Sequence, residues 1–191
     1  MFVKPGESIV LKCNTTADNS TDFWLYLTKK NSPHKTLTEG VDVHNHYKTR
    51  IQITGNTRNG EYHLKILNFT RQDEGIYRCI TVDREIMPVD VYLQMKEAPQ
   101  NIKFVKSNNT GIVNGIEGQM LNVTCQVIGG KPQGQIYWRS FLSNVTVFAT
   151  WPFSSLEFEP EYKHHLMNLT CGVSHEMLKD NITTLVKFNL L

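Results

Sequence analysis

The chain has 191 residues, 40% apolar, 10% aromatic and 20% charged, and its 20 basic side chains nearly balance 18 acidic ones, for a formal net charge of +2. That length suits one large domain or two of about 95 residues. The composition excludes a mostly disordered chain, and the charge balance gives no clustered basic stripe of the kind nucleic acid requires.

No apolar run nears the roughly 18 residues that span a bilayer, and no N-terminal leader pattern is present. A signal and any anchor are therefore expected outside these residues, and the chain reads as a mature fragment.

Along the chain, Ile9-x-Leu11-x-Cys13 alternates with period two, as a half-buried strand does, and Trp24 follows eleven residues after Cys13. Phe23-Trp24-Leu25-Tyr26-Leu27 is apolar in both phases. Leu64 and Ile66 alternate before Asp73-Glu74-Gly75-Ile76-Tyr77-Arg78-Cys79. Val89-x-Val91-x-Leu93 reads as the last strand of a first half, after a turn at Asp83 to Pro88. A boundary is expected near Lys96 to Pro99, where Pro99 would block further pairing, giving domains 1–97 and 98–191.

The second half repeats the order. Leu121-x-Val123-x-Cys125 alternates, Trp138 follows, and Leu169-x-Cys171-x-Val173 closes the frame. Nothing long has a helical period, so the fold class is all-β.

The cysteines are Cys13, Cys79, Cys125 and Cys171. None forms a Cys-x-x-Cys pair, which argues against a zinc ribbon or a thioredoxin site. Three pairings are possible, and the order along the chain favours 13–79 with 125–171.

The pattern Asn-x-Ser/Thr occurs at Asn14, Asn19, Asn68, Asn108, Asn122, Asn144, Asn168 and Asn181, eight of the sixteen asparagines. Chance would give roughly two or three. Disulfides and N-linked glycans together point to an extracellular protein, either a cell-surface ectodomain of a single-pass membrane protein or a secreted one.

Cys-Trp-Cys spacing with Asp-x-Gly-x-Tyr-x-Cys before the second Cys resembles the immunoglobulin superfamily, twice over. The resemblance implies two tandem β-sandwiches, each with a disulfide between sheets and a Trp against it, Trp24 and Trp138. It implies a tyrosine corner at Tyr77 and a pair between Asp73 and Arg50. The first half looks variable-type. The second, with Leu at position 169 where that Tyr would stand, looks C2- or I-type.

No sequence motif for catalysis appears. His44 and His46 share a strand face without an identifiable third ligand. The chain is expected to be no enzyme, with no metal, cofactor, nucleic acid or small-molecule substrate.

Strand phase then points to a partner site. Trp24 and Cys79 face inward, so Phe23, Leu25, Leu27, Arg78, Ile80 and Val82 face outward. Ile86 and Met87 add apolar groups at the turn before the last strand, and Lys35, Arg78 and Arg84 supply a charged rim. An outward apolar face on an antiparallel sheet needs a cover.

The resemblance, to the ectodomains of nectin-like proteins, junctional adhesion molecules, paired immune receptors and costimulatory ligands, implies protein recognition there. The partner would be a second copy or a different immunoglobulin-superfamily ligand. A secreted humoral or virus-encoded decoy is the alternative.

Overall fold

A computed structural model describes residues 1–15, 22–81, 88–105, 111–139 and 146–191. Among them are seventeen strands and four short 3-10 turns. The chain divides into two compact units, Met1–Lys96 and Glu97–Leu191.

The first unit contains β1 (Phe2–Val3), β2 (Ile9–Leu11), β3 (Asp22–Leu27), β4 (His34–Glu39), β5 (Asp42–Val43), β6 (Ile51–Thr54), β7 (His63–Ile66), β8 (Gly75–Thr81) and β9 (Val89–Met95). They form a six-stranded sheet in the order β1-β9-β8-β3-β4-β5 and a three-stranded sheet in the order β2-β7-β6. The alternating apolar positions read from the sequence meet between these sheets. Leu11, Trp24, Leu64, Ile66, Phe69 and Leu93 are all at most 2% exposed, and Cys13 is bonded to Cys79.

Burying Trp24 also removes its indole N–H from water, and that group donates to the Tyr62 carbonyl at 2.7 Å. Gly75 opens β8 at φ 156° because a Cβ there would stand 2.6 Å from both the Leu27 carbonyl and the Tyr26 ring.

The second unit contains β10 (Glu97–Val105), β11 (Ile112–Gly115), β12 (Leu121–Lys131), β13 (Gln135–Arg139), β14 (Thr146–Thr150), β15 (Phe153–Phe158), β16 (Asn168–Ser174) and β17 (Ile182–Leu190). Its sheets run β10-β12-β15-β14 and β11-β17-β16-β13. Each sheet thus has four described strands, with β14 in the sheet of β12 and β15 and β11 alongside β17. Cys125 is bonded to Cys171, and Leu169 is fully buried. Trp138 packs against this core half-buried, its indole donating to Ser154 Oγ at 2.9 Å.

Pro99 departs from the sequence expectation. It lies buried inside β10, opposite Gly129, and does not end pairing there. A register shift between Pro99 and Asn101 absorbs its missing N–H, as a bulge permits.

Candidate functional site: the outer face of the six-stranded sheet

Three residues fix the lower end of the first unit. Arg50 donates to both carboxylate oxygens of Asp73, at 3.0 and 2.6 Å, and also to the carbonyls of Leu67 and Asn68. Asp73 accepts the Thr70 backbone N–H and hydroxyl as well. The Tyr77 hydroxyl donates to the Asp73 carbonyl at 2.9 Å, the tyrosine corner. Burial, and then the Asp73 charge, push the Tyr77 pKa well above the ordinary tyrosine value. Tyr26 beside it is raised by the same two causes, and its hydroxyl donates to the Glu74 carbonyl at 2.7 Å.

This frame sets which side chains leave the opposite side of the sheet. Trp24 stands opposite Cys79 and Tyr26 opposite Tyr77, and all four pack in or against the core. The rows that alternate with them therefore point outward. The first is Glu39, Phe23 and Ile80; the second Thr36, Leu25, Arg78 and Asp90; the third His34, Leu27, Ile76 and Tyr92.

Phase alone does not make a contact surface. Leu25 and Leu27 take the outward phase, yet they are only 7% and 6% exposed and, among the described residues, join neither core cluster. They form the floor of the face between their cross-strand neighbours. Phe23, Ile76 and Ile80 are half-buried, and Tyr92 is 50% exposed.

Arg78 meets Asp90 in a two-pronged pair, Nε to one oxygen at 2.6 Å and Nη2 to the other at 2.8 Å. The hydrogen bonds from Arg78 hold the Asp90 carboxyl below the usual carboxylate range. The centre of the face therefore carries a neutral pair flanked by apolar and aromatic groups.

Lys35 is a correction. A register shift between Trp24 and Leu25 places Leu25 opposite Thr36 and Lys35 opposite Tyr26. The bulge carries Lys35 to the inward side, where it borders a recess with Leu37, Tyr47 and Tyr77, away from the outward rows. The bulge is stabilised where the Trp24 N–H donates to the buried Thr38 hydroxyl at 3.2 Å. The proposed contacts Val82, Arg84, Ile86 and Met87 lie outside the described residues.

Asp90, Tyr92 and Ile76 join the face without having been singled out from sequence. Their phase was available, since Asp90 and Tyr92 alternate with Val91 and Leu93, and Ile76 shares parity with Arg78.

In the first unit Asn14 and Asn68 are both exposed, and both flank strands of the three-stranded sheet. Asn14 bridges to Glu61 just before β7, and Asn68 follows β7. In the second unit Asn122, Asn168 and Asn181 are exposed and lie on or beside strands of both sheets. Asn19, Asn108 and Asn144 fall outside the described residues. No group of three or more metal-ligating side chains occurs among the described residues, and no helix there is long and apolar enough to cross a membrane.

The immunoglobulin V-set domain profile matches residues 1–94. Kin of IRRE-like protein 3 of Homo sapiens is 29% identical over 86 residues, 45% of this chain and 11% of that protein. Cell adhesion molecule 3 of Mus musculus is 26% identical over 190 residues, 93% of this chain and 45% of that protein. The chain thus spans less than half the length of either relative. The crystal structure of Rst D1-D2 has a TM-score of 0.60 at 18% identity, covering 100% of this chain and 95% of that one, which is a likeness of fold.

Proposed function

Because the chain belongs to the immunoglobulin superfamily, with a V-set domain as its first unit, we propose that it is an extracellular recognition ectodomain whose first domain docks a protein partner on the outer face of β3, β8 and β9. The observation that carries this reading is the composition of the outward rows. Phe23, Ile76, Ile80 and Tyr92 surround an internally neutralised Arg78–Asp90 pair.

Pairing Arg78 with Asp90 lowers the cost of covering the centre of the face compared with two separate charges, and the face offers the aromatic and apolar anchors that interfaces favour. The described sequons of the first domain, at Asn14 and Asn68, attach to the other sheet, so glycans there leave the face open.

The partner is a protein surface with matching apolar groups and hydrogen-bonding groups for the rim. A second copy satisfies that chemistry through an isologous contact, and so does a different immunoglobulin-superfamily ligand. Substitutions test the site. Ile80→Asp and Phe23→Asp should abolish partner binding while each lowers the melting temperature less than Leu25→Ala does. Unchanged binding in both variants would overturn the reading.

A further inference from the structure

We propose that the N-linked glycan of Asn181 is a seated, structural glycan, its first N-acetylglucosamine units lying in a cleft beside Tyr137 and bracing the turn between β16 and β17. The proposal rests on occupancy of the Asn181 sequon and is independent of the docking face of the first domain.

Tyr137 stands opposite Gly172, which in turn stands opposite Thr183. A Cβ at position 172 would fall 2.3 Å from the tyrosine ring, so the ring lies across the bare glycine and reaches over β16 toward β17. At its far end the hydroxyl accepts a hydrogen bond from Asn181 Nδ2 at 3.3 Å. Arg139 stacks above the ring, its Cζ 5.5 Å from the centroid. The sequon Asn181-Ile182-Thr183 is thus anchored by its own acceptor asparagine.

Beside it lies a shallow, open cleft lined by Gln133, Gln135, Ser174, His175, Glu176 and Asn181. The side-chain amides of Gln133 and Gln135 and the Ser174 hydroxyl suit a sugar's hydroxyl and acetamido groups, while His175 serves as a fixed wall.

The walls are held in place. The Met177 N–H donates to His175 Nδ1 at 3.1 Å, so Nε2 carries the ring proton and donates to the Pro132 carbonyl at 2.8 Å. A Cβ on Gly134 would stand 2.5 Å from the Ser174 carbonyl, which shows how closely the two turns approach.

In glycosylation one Nδ2–H of Asn181 is replaced by a bond to the anomeric carbon of the sugar. The sugar's bond to its lipid diphosphate donor breaks, and the diphosphate leaves with that proton. The second Nδ2–H remains to donate to Tyr137. The first sugar therefore starts at the mouth of the cleft, with Tyr137 fixing the amide plane.

The experiment uses the whole chain secreted from a glycosylating host. Glycopeptide mass spectrometry reads occupancy, and scanning calorimetry compares Thr183→Ala, which removes the sequon, with Thr183→Ser, which keeps it. Thr183→Ala should lower the melting temperature of the second unit by about 4 °C, Thr183→Ser should restore it, and Asn168→Gln, at an exposed sequon outside the cleft, should change it little. In a Tyr137→Ala background, or Tyr137→Phe if that variant fails to fold, the cost of Thr183→Ala should shrink.

An occupied Asn181 with equal melting temperatures for Thr183→Ala and Thr183→Ser overturns the proposal alone. An empty Asn181 with other sequons occupied also overturns it and leaves the glycoprotein reading intact. No occupancy anywhere overturns both.

Discussion

Arg78 and Asp90 lock to one another across β8 and β9 in the middle of the outward face, with two nitrogen–oxygen distances of 2.6 and 2.8 Å. A partner meeting this face encounters no free charge at its centre. The pair is partly exposed, at 33% and 43% of side-chain area, so water and salt weaken it. Its contribution to folding is expected within about 0–1 kcal/mol.

Asp90→Asn should therefore cost less than about 1 kcal/mol near neutral pH. The folded-state pKa of Asp90 lies below its unfolded value. The stabilisation is accordingly present above the unfolded value, about 3.9, and lost as pH falls through the folded one. Urea titrations of wild type and Asp90→Asn should show a small gap at pH 6 that closes in acid. A gap that widens in acid would contradict this.

Asp73 gives the opposite case. Its side chain is 15% exposed and accepts from Arg50 twice and from Thr70 twice. Asp73→Ala leaves Arg50 and the Thr70 donors without that acceptor, and should cost about 2–3 kcal/mol by chemical denaturation. A loss no larger than that of Asp90→Asn would mean that the corner is not braced by this pair.

Tyr77→Phe deletes the hydroxyl bond to the Asp73 carbonyl and should cost about 1 kcal/mol. Since the folded pKa of Tyr77 is raised, stability linked to it is complete below the unfolded value of about 10 and falls as pH rises beyond that toward the folded value. Ultraviolet titration of the folded protein should find this phenol silent until alkaline unfolding. Ionisation of all tyrosines near pH 10 without unfolding would contradict it.

Leu25 and Ile80 share the outward phase but should behave differently. Leu25 is 7% exposed, so Leu25→Ala removes buried apolar volume and should cost about 2–3 kcal/mol. Ile80→Asp, at the half-buried edge of the face, should spare the fold. If melting curves show the reverse order, the division into floor and contact residues fails.

Removing the glycans of Asn14 and Asn68 should leave partner binding intact. Asn14→Gln suits the extended site, and Asn68→Asp suits the left-handed backbone at φ 51°, which Asp tolerates. Lost binding in the double variant would place one of these two sugars in the interface.

Much of this was legible in the sequence because period-two alternation ties every inward residue to its neighbours. Once Trp24 and Cys79 are inward, Phe23 and Ile80 follow. The partnership of Arg50 with Asp73 and the hydroxyl bond of Tyr77 were implied by motif. What escaped was whatever depends on a break in that period. The bulge between Trp24 and Leu25 moves Lys35 to the inward side, and the one between Pro99 and Asn101 lets a proline stay within a strand. Nor does parity measure depth, and so Leu25 and Leu27 were expected at a surface where they form the floor.

Protein binding by the outer face of the first domain is the central proposal. The most direct measurement displays the glycosylated chain at high density on beads and records bead–bead aggregation and adhesion to cells. Wild type is compared with Phe23→Asp, Ile80→Asp and, as a control on the exposed side of the other sheet, Gln52→Lys. Adhesion to beads or cells that disappears in Phe23→Asp and Ile80→Asp and survives in Gln52→Lys is the predicted result. Adhesion indifferent to Phe23 and Ile80, or none to either surface, would contradict it.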